Sequence, residues 1–320
     1  MSRPKETGRS VLIDLIFLLY YKIIMASIDD FNSDPLIGKR LGTCTILKEL
    51  ARGGMGIVFI AYQQTLKRQI ALKLIPKSYF KSQVTERFHH EAEAAAILSH
   101  PNIVPIYEIG ETEEFLFFTM QLVKGDSLGL ILEKAQSHFL PSRRILPIKA
   151  TTRIISQLLG ALDYAHNEEI IHRDIKPENI LMEKHTKRPL ISDFGLAKVL
   201  RGDNFDFLIR GTPAYMAPEQ ILGLKVDGRA DIYGVGVVLF EMLVPELPFL
   251  ENETTESFLK RKAYDKKGVF LKNPSDLNPN LHREMDEIVS RAIAYEPDDR
   301  YPTCRDFLRS LEKYQENYLK

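Results

Sequence analysis

An α+β fold in two parts is what this sequence predicts, a β-rich first stretch followed by a largely helical second. Three observations carry that reading. Short β-prone runs separated by turn residues crowd residues 41–123. Gly125 breaks the pattern, and beyond it apolar residues recur at helical spacing. The chain has 320 residues, 44% of them hydrophobic, which is length and composition enough for one large domain or two lobes.

In chain order, Thr43–Leu50 and Ile57–Tyr62 are strand candidates with Gly53, Gly54 and Gly56 between them, and Ile70–Leu74 is a third. Residues 82–99 read as a helix, because Glu91, Ala95 and Leu98 fall on one face at i, i+4, i+7; His100-Pro101-Asn102 stops it. Ile103–Ile109 and Phe115–Val123 read as two further strands. Leu128–Ala135, Thr151–His166, Ala230–Leu243, Glu284–Ala294 and Thr303–Tyr314 are the helix candidates of the second part. No internal repeat or low-complexity tract interrupts them.

The first thirty residues differ from the rest. Arg3, Lys5 and Arg9 precede the apolar run Val11–Met25, which Asp14 and Lys22 interrupt. No clean cleavage site follows, and the run is short of the roughly 20 apolar residues a membrane-spanning helix needs. Three readings stand open: Met25 is the true start, the run is an interfacial membrane anchor, or it is a helix packed on the domain. The expected division is an extension over 1–34, a folded region over 35–315 with its first part at 35–123 and its second at 124–315, and a tail at 316–320.

Charge is balanced, 43 basic against 43 acidic residues, which lends no support to a nucleic-acid partner. The two cysteines, Cys44 and Cys304, lack metal-ligand spacing and read as unpaired thiols of a reducing compartment. A cytoplasmic location follows, or a peripheral one at the cytoplasmic membrane face through residues 11–26. Trp is absent.

The strip His172-Arg173-Asp174-Ile175-Lys176-Pro177-Glu178-Asn179 fits H-R-D-x-K-x-x-N. A chance match is expected in roughly one of ten thousand chains of this length, so a bland charged loop is a poor account of it. Phosphoryl transfer explains the residue types. An acceptor hydroxyl must be oriented in line and lose a proton, which suits Asp174. Lys176 can neutralise charge on the moving group, and Asn179 offers a neutral oxygen to Mg²⁺.

With this strip the sequence resembles the eukaryotic-like serine/threonine protein kinases, bacterial type, over roughly residues 35–315, and the family's motifs stand in the family's order. The resemblance implies the two-lobed protein kinase fold, a β-rich N-lobe and a helical C-lobe, with ATP and Mg²⁺ as cofactors. Leu50-Ala51-Arg52-Gly53-Gly54-Met55-Gly56-Ile57-Val58 is similar to the glycine-rich loop, with Ala51 at the place of the first glycine; glycine lets backbone N–H groups approach phosphates without a Cβ in the way. Ile70-Ala71-Leu72-Lys73 is similar to V-A-I-K, so Lys73 would hold the α and β phosphates. Glu91 would pair with it, chosen over Glu86 and Glu93 because Arg87–Ala92 fits R-F-x-x-E-A. Asp193-Phe194-Gly195 is similar to D-F-G; Asp193 would bind Mg²⁺ together with Asn179, and Phe194 would pack beneath the helix of Glu91. Met120 aligns as gatekeeper, with Gln121, Leu122 and Val123 as the adenine-binding hinge. Val58, Ala71 and Leu181 would sandwich the base.

Gly211–Glu219 is similar to G-T-x-x-Y-x-A-P-E. Thr212 would contact Asp174 and Lys176, and with Lys176 it favours Ser/Thr acceptors. Glu219 would pair with Arg300, and Asp231 would brace the catalytic loop, with Tyr233 standing where the family has Trp. The expected activity is transfer of the γ-phosphate of ATP to protein serine or threonine. A pseudokinase scaffold is the alternative, against which Lys73, Asp174, Asn179 and Asp193 all weigh. A small-molecule phosphotransferase is a second rival, against which Thr212 and Ala217-Pro218-Glu219 weigh. Leu196–Gly211 contains no Ser, Thr or Tyr, so Arg173 has no phosphate to meet there. Asp203 or Asp206 would serve as a fixed anion in its place, or Phe205, Phe207 and Leu208 would hold the loop.

Overall fold

The computed structural model describes residues 31–53, 56–79, 84–140, 143–194, 213–250 and 252–319. They divide into two compact units. The first takes the described residues up to His89 together with Ile106–Leu122; the second takes His90–Pro105 and the described residues from Val123 on.

A six-stranded antiparallel sheet builds the first unit, in the order β1-β2-β3-β4-β6-β5. The strands are β1 (Arg40–Leu41), β2 (Cys44–Gly53), β3 (Gly56–Gln63), β4 (Arg68–Pro76), β5 (Ile106–Glu111) and β6 (Phe115–Met120). Alternation along β3 sets its faces. Ile57, Phe59 and Ala61 are buried while Val58, Ile60 and Tyr62 are half-buried. The buried set joins Cys44, Ile46, Ile70, Leu72, Leu74, Phe115 and Phe117 in one core, onto which Phe31 packs. Strand β4 is central and buried on both faces from Ile70 on. Helix α1 (Val84–Ile97) buries Phe88 against Phe118, with ring centroids 6.5 Å apart.

The second unit is helical: α2 (Leu128–Gln136), α3 (Ile148–Asn167), α4 (Pro218–Ile221), α5 (Arg229–Leu243), α6 (Thr255–Tyr264), α7 (Pro274–Leu277), α8 (Arg283–Ala292) and α9 (Cys304–Tyr318), with the hairpin β7 (Ile180–Met182) and β8 (Pro189–Ile191) among them. Helix α5 is buried on nearly every side, as its almost unbroken apolar sequence requires. Helices α3 and α8 pack on it, and α9 packs on α3. Side-chain caps start three of the helices: Ser127, Thr254 and Thr303 accept from the amides of Leu130, Ser257 and Asp306.

Each strand and helix read from sequence is present, with its ends moved by a few residues. Two limits need correction. Pro105 interrupts the run Ile103–Ile109, so β5 starts at Ile106, and Ile103 instead bridges Ile191 of β8 in parallel. Strand β6 stops at Met120 rather than Val123. Helix α6 and strand β7 escaped the sequence reading, whereas Leu190-Ile191 of β8 reads as strand-like just ahead of Asp193. The buried side of α6 is Phe258, Lys262 and Ala263, and a lysine in that set hides the periodicity. Both cysteines are buried free thiols. Among the described residues, no helix is long and apolar enough to cross a membrane. Residues 1–30, with the apolar run, lie outside the described residues, as do Gly54, Met55 and the segment 195–212.

Candidate active site

In the first unit, the β2–β3 turn carries the glycine-rich strip. Gly53 pairs with Gly56, Ala51 with Val58 and Arg52 with Ile57. Gly56 has φ +139°, and a Cβ there would lie 2.2 Å from the carbonyl oxygen of Leu74. Glycine is thus required for β3 to close onto β4, in addition to any approach by a phosphate. The side chains of Leu50 and Ala51 are exposed. The Arg52 guanidinium turns to Glu49, at 2.7 and 3.0 Å, and to the carbonyl of Phe31 at 2.7 Å. Lys73 lies mid-strand on β4, in register with Val58 on one side and Phe118 on the other, and is buried. Ala71 and Met120 are register partners and both are buried. Gln121 is half-buried.

In the second unit, Glu91 is half-buried on α1, whereas Glu93 is exposed; Glu86 of the same helix, within the first unit, is exposed as well. Val123 is half-buried. Gly125 has φ +158°, and a Cβ there would sit 1.9 Å from the carbonyl of Met182. That close approach seats the 124–127 segment on β7, where Ser127 bridges Leu181.

The strip His172–Asn179 is held by a buried carboxylate. The two oxygens of Asp231 accept the backbone amides of His172, at 2.9 Å, and of Arg173, at 2.7 Å; His166 Nε2 adds a third bond at 2.8 Å. Asp231 braces the loop as the sequence reading requires. Burial alone would raise its carboxyl, yet the bonds from His166 and His172 outweigh that and hold it below the ordinary range. His172 is wholly buried. Its Nε2 donates to the carbonyl of Ser192 at 2.8 Å, its Nδ1 accepts the Asp174 amide at 3.2 Å, and its ring meets Phe194 edge-on with centroids 4.7 Å apart. This bond network therefore joins the HRD strip to the residues just ahead of Gly195.

Asp174 receives two side chains. Lys176 Nζ is 2.8 Å from Oδ2, and Asn179 Nδ2 donates to the same oxygen at 3.0 Å and to the Asp174 carbonyl at 2.8 Å. Spending the amide nitrogen on Asp174 leaves Asn179 Oδ1 as the acceptor end. The Asn179 carbonyl takes the Ser192 amide at 2.9 Å, which brings Asp193 beside Asn179 in the chain fold. Arg173 has φ +66° and Asp193 φ +64°, left-handed backbone at non-glycine residues. Such positions cost about 1–3 kcal/mol and persist where the surroundings over-determine them. For Arg173 those surroundings are Asp231 on its amide and Gln220 Nε2 on its carbonyl at 2.9 Å.

Two further features border the strip. Arg300 and Glu219 form a fully buried bidentate pair, both contacts 2.7 Å, with Arg300 also donating to the carbonyls of Arg229, Ala294 and Tyr295. The pairing read from sequence is present. A cavity of about 410 Å³ opens beside Pro177, lined by Glu133, Glu178, Glu241, Gln136 and Tyr215. The Tyr215 hydroxyl donates to Glu241 at 2.6 Å. Burial raises the Glu241 carboxyl, with the Tyr215 bond opposing and the Glu178 charge reinforcing.

His166, Gln220 and Ser192 escaped the sequence reading, because each acts through a backbone group or through another side chain and has no motif spacing of its own. Thr212, expected against Asp174 and Lys176, lies outside the described residues, as do Asp203, Phe205, Asp206, Phe207 and Leu208.

The chain is similar to known proteins in sequence and in fold. Residues 44–311 match the family described as protein kinase domain. The chain is 32% identical over 286 residues to serine/threonine-protein kinase Pkn1 of Myxococcus xanthus, and 33% identical over 281 residues to serine/threonine-protein kinase PknF of Mycobacterium tuberculosis; these cover 87% and 86% of it. It spans 39% and 56% of the lengths of those relatives. The crystal structure of the M. tuberculosis PknI kinase domain is similar with a TM-score of 0.69 at 26% identity, covering 88% of this chain and 98% of that one. The kinase fold and the resemblance to bacterial serine/threonine kinases are both borne out. With its motifs in family order and most of its length matched, the chain belongs to the protein kinase domain family.

Proposed function

We propose that this chain is a serine/threonine protein kinase that transfers the γ-phosphate of ATP to hydroxyls of protein substrates in a signalling role. The observation that carries the proposal is Asp174, whose Oδ2 is held by both Lys176 and Asn179 on a loop clamped by Asp231. A carboxylate fixed in this way accepts the proton of an incoming Ser or Thr hydroxyl while the new O–P bond forms and the bond to the β-phosphate oxygen breaks, releasing ADP. Lys176 balances the charge that builds on the moving group. Lys73 would hold the α and β phosphates, with Glu91 as its partner by family motif, and the glycine-rich strip Leu50–Val58 would offer them backbone N–H groups. Met120, Gln121 and Val123 would meet adenine, with Val58, Ala71 and Leu181 as its apolar contacts.

Asp193 and the Asn179 amide oxygen are hard oxygen donors, and they suit Mg²⁺, which takes few protein ligands and completes its shell with water and phosphate. Among the described residues there is no cluster of three His, Cys, Asp or Glu that would make a complete protein cage. Mg²⁺, when bound, neutralises charge across the phosphates. The three carboxylates around the cavity beside Pro177 support an acceptor segment carrying basic side chains.

The test is transfer of labelled phosphate from ATP to paired peptides, one bearing arginines around the serine and one bearing glutamates. The intact chain is expected to phosphorylate the basic peptide, and Asp174→Ala and Lys73→Met to lose transfer while circular dichroism remains that of the wild type. Full activity in either variant would refute the assignment.

A further inference from the structure

Helix α6 carries a lysine where its packing calls for an apolar residue. Lys262 is 1% exposed and lies between the buried Phe258 and Ala263 in the set that seats the helix. An ammonium taken so far from water is retained only where its donors are satisfied. Here Lys262 Nζ donates to the carbonyl of Pro213 at 3.0 Å and to that of Ala214, and it stands 4.7 Å from the ring centre of Tyr233. Burial drives its ionisation well below the usual lysine range; the Arg300 charge pushes the same way and Glu219 opposes. A lysine keeps N–H donors whether charged or neutral, so both carbonyl bonds survive that shift.

The carbonyls it holds occupy a particular place. Pro213 and Ala214 follow directly on 195–212 and precede Tyr215, whose hydroxyl is bonded to Glu241 at the cavity beside the catalytic strip. Three residues further on, Ala217 anchors Gln220, whose Nε2 bonds the Arg173 carbonyl. Thus the stretch 213–220 is fastened at one end by Lys262 and at the other by Gln220 and the Glu219–Arg300 pair. Without Lys262, two adjacent carbonyls on a turn of three residues would lose their described side-chain donor.

We propose that Lys262 is a positioning residue for the acceptor peptide, fixing the backbone of Pro213–Ala214 so that the 213–217 platform presents one conformation to substrate. The proposal rests on the kinase activity proposed above. Lys262→Met keeps the apolar stem and removes the donors. For this variant the KM for the basic acceptor peptide is expected to rise about tenfold, as loss of two buried carbonyl bonds implies. The KM for ATP and the slow hydrolysis of ATP in the absence of peptide are expected to remain at wild-type values. A merely structural lysine would move all three together with the thermal midpoint, and that result would overturn the proposal, as would an unchanged peptide KM. If Lys262→Met is insoluble, Lys262→Leu, which also lacks the donors, is measured in its place; failure of both to fold makes Lys262 a folding determinant and equally overturns the proposal. A wild-type chain that transfers no phosphate would overturn the kinase reading itself, whereas a wild-type peptide KM in the variant overturns only this one.

Discussion

Asp231 illustrates how one buried side chain organises reacting groups it never touches. Its carboxylate accepts two consecutive amides and His166 Nε2, and together with the Gln220 bond these hold Arg173 in left-handed backbone. Asp231→Asn replaces one accepting oxygen by a donor that faces an amide N–H. Phosphotransfer is expected to fall about 10–100-fold, the range seen when a supporting partner of a reactive group is lost; the basic-peptide assay measures it. The pH dependence has a definite sign. The folded carboxyl is held below its unfolded value, so its stabilisation is complete above the ordinary carboxylate range near 3.9 and disappears as pH falls through the depressed folded value. The stability difference between wild type and Asp231→Asn is therefore expected to be constant from about pH 5 to 8 and to shrink below about 4, as denaturant titrations would record. Glu219 and Arg300 obey a different rule. Their pair is wholly desolvated, so it fixes a loop more than it adds stability, and removing one partner strands the other.

At the level of elements, the β2–β3 turn serves two masters. Its glycines read as a phosphate cradle, yet Gly56 is required first by the sheet, where β3 approaches the Leu74 carbonyl of β4. Gly56→Ala places a methyl group against backbone at a φ that alanine avoids. A loss of about 1–3 kcal/mol in unfolding free energy is expected, with a raised KM for ATP alongside it. Unfolding curves and ATP titration test the two effects separately, and an unchanged stability would contradict the close approach. Helix α6 shows the converse. Its residues carry little apolar signal, and it is held by Phe258, Ala263 and a lysine bonded to backbone carbonyls.

For the whole molecule, the consequence is control. Leu196–Gly211 offers no hydroxyl to phosphorylate, and the next tyrosine, Tyr215, is buried with its hydroxyl on Glu241. Burial and that carboxylate both raise its phenol. Active enzyme is expected to carry no stoichiometric phosphate at Tyr215 and to need none at Thr212, and phosphopeptide mapping combined with Thr212→Ala would show it. A phosphate required at either site would return this chain to the usual arginine-and-phosphate switch.

The chain order of residues determined the kinase motifs, the β-then-helix succession and the residue types around Asp174, because phosphoryl transfer prescribes those types at local spacing and because strands and helices declare themselves by period. The partnership of Asp231 with the loop and of Glu219 with Arg300 was legible for the same reason, since family spacing stands in for distance. Only the tertiary structure decided the rest. His166 reaches Asp231 and Gln220 reaches Arg173 across dozens of residues, the Gly56 requirement arises from a neighbouring strand, and Lys262 is buried because two carbonyls far away in sequence need its donors. Periodicity counts apolar residues and motifs count neighbours along the chain. A hydrogen bond that satisfies a buried backbone group obeys neither, because its partner is chosen by proximity in space and by the cost of leaving that group alone.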